Sequence, residues 1–90
     1  MDASENFKKV MAVLKDGQWC KAPEIFRVSG VTEREIRHIA ETSGSLISGS
    51  EGYKRTDKAN TEEVRRHIAS LRSRASKIIN RAIKIEKNLN

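Results

Sequence analysis

Apolar residues recur at helical spacing in four places along the chain and in short runs of alternating character in one. Phe7, Val10, Met11 and Leu14 stand three or four apart; with Ser4 as a cap and Gly17 as a left-handed stop, they predict a first helix from about Glu5 to Asp16. Gln18-Trp19-Cys20 is too short for a free strand and is expected to pair at the edge of a small sheet. Pro23 suits the first turn of a second helix, whose apolar positions are Ala22, Ile25, Phe26 and Val28 and whose end is Ser29-Gly30.

Thr32 and Glu35 then form a capping-box signal. The Thr32 hydroxyl is placed to accept from the Glu35 amide while the Glu35 carboxylate reaches back. The third helix continues with Ile36, Ile39 and Ala40 on one face, leaves Glu33, Arg34, Arg37, His38 and Glu41 outside, and stops at Ser43-Gly44. Leu46-Ile47-Ser48 and Tyr53-Lys54-Arg55 have strand character, and Gly49-Ser50-Glu51-Gly52 between them predicts a tight hairpin.

After a polar connector, Asn60 and Glu63 give a second capping box, which opens a helix from Thr61 to about Asn88 containing neither Gly nor Pro. Its apolar residues, Val64, Ile68, Leu71, Ala75, Ile78, Ala82, Ile85 and Leu89, keep a strict heptad spacing. Such a helix is about 42 Å long, more than the preceding globule covers. Val64, Ile68 and Leu71 are expected to pack on the first helix through Phe7, Val10 and Leu14. Ile78, Ile79, Ala82, Ile83, Ile85 and Leu89 are left for self-association, most simply in a homodimer.

Charge narrows the range of partners. The 90 residues carry a net charge of +6, with 37% hydrophobic and only 4% aromatic residues, so one modest core and a polyanionic partner are expected. Nucleic acid comes first and an anionic membrane surface second. The excess is uneven: residues 61–90 hold eight basic and three acidic side chains. No run approaches a membrane span and the N-terminus has no secretory apolar region, which predicts a cytoplasmic protein.

Catalytic chemistry finds little support. Cys20 is the single cysteine and is expected to be a small buried hydrophobe. His38 and His67 have no nucleophile, carboxylate or ligand cluster at a useful spacing. Trp19 and Tyr53 read as packing rather than as a base-stacking platform. No enzyme activity, metal, cofactor or small-molecule ligand is expected. A membrane-surface role for the basic helix is disfavoured, because its stripe is narrow and lacks Trp and Phe.

The series Gly17-Gln18-Trp19, Ile25, Ser29-Gly30-Val31-Thr32, Ile36-Arg37, Gly44, Leu46-Ile47-Ser48 and Gly52-Tyr53-Lys54 resembles a winged helix-turn-helix domain of the small kind found in bacterial and phage regulators. The resemblance covers residues 5 to 56. It implies a mainly α fold with a small β-wing (α+β): a winged helix-turn-helix core over residues 1–58 and a long basic helix over 59–90. It also implies sequence-specific binding of double-stranded DNA by a small transcriptional regulator, with residues 32–42 in the major groove and the wing, residues 46–55, on the backbone.

The DNA-contacting residues expected on this reading are Lys21, Thr32, Arg34, Arg37, His38, Lys54 and Arg55. Arginine is the commonest reader of guanine edges, and lysine neutralises phosphate. Glu33 and Glu41 on the same helix oppose a polyanion. They keep open a second expectation, a winged-helix assembly module that meets protein instead of DNA, for example in a phage packaging complex.

Overall fold

The structure, a computed structural model, describes residues 3–89. Met1, Asp2 and Asn90, at the ends of the expected ranges 1–58 and 59–90, lie outside the described residues. The chain forms α1 (Ala3–Val13), α2 (Ala22–Ser29), α3 (Glu33–Ser43), β1 (Leu46–Gly49), β2 (Gly52–Arg55), a single 3-10 turn (Thr56–Lys58) and α4 (Thr61–Lys87). It is thus mainly helical with one small antiparallel sheet, an α+β arrangement.

The core gathers Val10 and Leu14 from the first segment, Ala22 and Ile25 from α2, Val31 from the turn, Ile36 and Ile39 from α3, and Leu46 from β1. The expected first helix is corrected at both ends. Ser4 lies within α1 instead of capping it, and regular helix stops at Val13. Leu14–Asp16 form a tightened turn in which the Gly17 amide bonds the Leu14 carbonyl at 3.2 Å, with Gly17 at φ +75°.

In α2 the expectation holds for Pro23 and for the Gly30 stop, where Gly30 has φ +78° and its amide bonds the Phe26 carbonyl. Of its four apolar positions, Phe26 and Val28 are exposed. The face turned toward the core is the one carrying Ala22 and Ile25, and Val31 fills the core after the turn. In α3 the Thr32 hydroxyl accepts from the Glu35 amide at 3.3 Å as expected. The Glu35 carboxylate turns to the Asn6 side chain of α1 instead of completing the box, so it ties two helices together.

The hairpin pairs Leu46 with Arg55, Ile47 with Lys54, Ser48 with Tyr53 and Gly49 with Gly52. Alternation gives it two working faces. Leu46 and Tyr53 pack on the helical core. Ile47, equally buried at 3% exposure, lies on the face shared with Lys54. The expected edge strand Gln18-Trp19-Cys20 shrinks to one residue pair, in which Cys20 and Tyr53 exchange backbone hydrogen bonds of 2.9 and 2.8 Å. β2 thus runs between Cys20 and β1. Gly52 is required there: it sits at φ +111°, and a Cβ would come within 2.3 Å of the Cys20 carbonyl oxygen.

α4 starts with the complete capping box. The Glu63 amide bonds the Asn60 side chain at 2.8 Å, and the Asn60 amide bonds the Glu63 carboxylate at 3.0 Å. Its position corrects the expected packing on α1. α4 leans on β1 instead, Val64 is half-buried, and Ile68 and Leu71 are exposed. The α1 side of the core is already filled by α2, α3 and β1. From Ile68 to Leu89 every residue is exposed, and the projecting rod stretches the molecule to 53 × 32 × 20 Å.

Candidate nucleic-acid interface

The residues expected to contact DNA separate into two groups. Lys21, Thr32, Arg34, Arg37 and His38 are all exposed, around the N-terminus of α2 and along the outer face of α3. Thr32 is used as the α3 cap through its side chain, and Lys21 caps α2 with its backbone alone. Arg37 lies 3.4 Å from Glu33, one turn earlier on the same helix, a solvated pair that holds its guanidinium only weakly. Arg34 has no ion pair among the described residues and lies beside Asn6, Glu35 and His38 in a shallow depression.

Lys54 and Arg55 are placed otherwise than expected. The Lys54 ammonium lies 2.9 and 3.0 Å from the two Glu63 carboxylate oxygens and 5.5 Å from the centre of the Trp19 ring, and its side chain is 13% exposed. Trp19 Nε1 donates to the same carboxylate at 3.1 Å. Arg55 grips Asp57 through Nε at 2.9 Å and Nη2 at 2.6 Å, and its Nη1 donates to the Met11 carbonyl at 3.3 Å. Both cations of the hairpin therefore hold the fold together, and neither is presented to a phosphate. The exposed tip carries Ser50 and the acidic Glu51.

Electrostatics follows from these pairs. The Lys54 ammonium, then the Asn60 amide and the Trp19 indole, hold the Glu63 carboxyl below its ordinary range. Hydrogen bonding to Arg55 does the same to Asp57. Cys20, expected to be buried, is only half-buried against the core, because it lies at the sheet edge paired with Tyr53; burial is still the largest influence on its thiol and pushes it up, away from a reactive thiolate.

Glu63 and Trp19 are the functional side chains that sequence reasoning missed in this role. Glu63 is legible as half of a capping box, but its two other contacts come from residues 9 and 44 positions away, for which no local pattern exists. His67 is the second point of attachment. Its Nδ1 lies 3.5 Å from the Ser48 amide nitrogen and 3.2 Å from the Ser48 carbonyl oxygen, closing the free edge of β1. An open cleft of about 430 Å³ runs between the hairpin tip and α4, with Arg66, His67 and Ser70 on one wall and Ser48 to Glu51 on the other. Among the described residues no group of three or more His, Cys, Asp or Glu could hold a metal ion.

Beyond this clasp α4 is a cationic rod. Between Val64 and Ile85 the chain has seven basic side chains, Arg65, Arg66, Arg72, Arg74, Lys77, Arg81 and Lys84, and no carboxylate. Arg66, Lys77 and Lys84 fall on the side away from the apolar stripe, and Arg81 lies at its flank. The expected association residues Ile78, Ile79, Ala82, Ile83, Ile85 and Leu89 are all exposed, Ile78 at 69% and Leu89 at 80%. α4 also passes α3, where Leu71 and Arg74 share a shallow cleft with Arg37, Ala40 and Glu41, so the N-terminal part of α3 is its more open end.

No family model, curated protein or solved structure matches this chain. None of the described helices is long and apolar enough to cross a membrane.

Proposed function

We propose that the protein is a winged helix-turn-helix regulator of the bacterial or phage type that binds double-stranded DNA in the cytoplasm. α3 enters the major groove, with Arg34 and His38 toward base edges and Arg37 released from Glu33 to phosphate or base. The hairpin is the wing, but a buttress: it holds α4 in place, and the backbone contacts expected of its lysine and arginine pass to α4. The stripe from Ile78 to Leu89 joins two copies, so that two α3 helices read paired half-sites.

The observation that carries this reading is the 22-residue cationic stretch of α4 beside a capped helix whose exposed residues include Arg34 and His38. A polyanion accounts for seven basic side chains of which Arg66 alone has an ion pair among the described residues, a loose one of 3.7 Å to Glu62. The test is selection from a random duplex library. An enriched motif lost in Arg34→Ala supports the reading. Binding without enrichment reduces it to a backbone binder.

A second reading has its own observation. Arg37 already lies against Glu33, and Glu41 is exposed on the same helix, so this surface suits a protein partner better than a bare phosphate. On that reading the chain is a winged-helix assembly module that does not bind DNA, and the library selection returns nothing.

A further inference from the structure

We infer that the exposed stripe of α4 is covered by the α4 of a second copy running antiparallel, in a register centred level with Asn80. This deepens the self-association proposed above and does not depend on DNA binding. Over the heptads, Ile68, Ala75, Ala82 and Leu89 occupy the a positions, and Val64, Leu71, Ile78 and Ile85 the d positions. Parallel two-stranded pairs favour a β-branched residue at a and leucine at d. After Ile68 and Leu71 this chain departs from that pattern, with alanine at two a positions, leucine at the last, and isoleucine at two d positions.

An antiparallel pair sets the a positions of one helix against the d positions of the other. In the register centred on position 80, Ala75 faces the second copy's Ile85, Ile78 faces its Ala82, and Leu71 faces its Leu89. Each layer then joins small to large or leucine to leucine, so the layers fill evenly. The overlap from Leu71 to Leu89 is about 28 Å long.

The flanks agree with the same register. Glu86 is the only carboxylate after Glu63; in this arrangement it lies opposite the second copy's Arg72, and symmetry makes the pair twice. The same side brings Ile79 against its own copy at the two-fold axis, with Ile83 one turn on; both are exposed in the single chain. A stripe reserved for a strict a/d seam would not need these two isoleucines. On the opposite flank the two Arg81 side chains approach, and their long stems reach solvent.

The test is a charge swap, read by sedimentation equilibrium on the full chain without DNA. Helicity by circular dichroism checks that each variant folds. The wild-type chain should be a dimer at micromolar concentration, Glu86→Arg should dissociate about tenfold more readily, and adding Arg72→Glu should restore the dimer. In a parallel pair Glu86 would instead face the second copy's Arg81, so rescue by Arg81→Glu overturns the proposal, as does absence of rescue by Arg72→Glu. A wild-type chain that stays monomeric, or that floats with anionic vesicles as a monomer, overturns self-association itself.

Discussion

Lys54 of β2 and Glu63 of α4 form the joint of the molecule: both Lys54–Glu63 contacts are within 3.0 Å, and Trp19 closes over the pair. Few buried apolar contacts hold α4 to the globule, since none of its residues is buried. The direction of the rod is therefore set mainly by this joint, together with His67 against β1. Lys54→Ala is expected to lower Tm and red-shift the emission of Trp19, the only tryptophan, while leaving DNA affinity within about twofold. A phosphate-contacting lysine would behave in the opposite way, costing affinity and little stability.

The same joint predicts an acid transition. Because hydrogen bonding to Lys54 holds the Glu63 carboxyl below its unfolded value, its stabilising effect is complete above the ordinary carboxylate pKa, about 4.3. It is lost as pH falls through the lower native value. Trp19 emission should report release of α4 in that acid range, and Glu63→Gln should start released and show no such step.

Gly52 is the most sensitive position in the hairpin. Gly52→Ala places a Cβ 2.3 Å from the Cys20 carbonyl oxygen at φ +111°, which should cost at least about 2 kcal/mol and lower Tm by about 8 °C or more. Gly30→Ala meets no atom within 4 Å and should cost less, because only its left-handed φ is strained. Thermal denaturation of the two variants checks the order.

Arg34 and Arg55 should part company in binding assays. Arg34→Glu, at an exposed side chain with no ion pair among the described residues, is expected to weaken DNA binding about tenfold or more with little change in Tm. Arg55→Ala breaks the Asp57 grip and the bond to the Met11 carbonyl, so it should lower Tm while affinity stays near wild type.

The elements were legible in the sequence where their signals are local. Helix stops at Gly30 and Gly44, the Asn60–Glu63 box and the two-residue hairpin turn all follow from residues within four positions of one another. What local spacing could not carry was the fate of the charges and the seat of α4. Whether Lys54 meets solvent or Glu63 depends on a connector that folds the chain back, and Trp19 reaches Glu63 across 44 residues. Val64, Ile68 and Leu71 have the spacing of a core helix, but the fold offers no remaining core for them to enter. Of the residues expected at the interface, those on the outer face of α3 are exposed, as helical spacing implies, while the hairpin cations Lys54 and Arg55 are held in internal ion pairs that no local pattern foretells.

On the function proposed above, α4 supplies the phosphate contacts to DNA. Fluorescence anisotropy of a labelled duplex, titrated from low to near-physiological salt, reads this in wild type and in a Lys77→Gln, Lys84→Gln, Lys87→Gln triple variant, whose three exposed positions lie off the apolar stripe. The log–log slope should correspond to about four or more phosphates in wild type, and should shrink by about two to three units in the variant. Absence of binding at low salt, or an unchanged slope in the variant, would remove α4 from any role at the phosphate backbone.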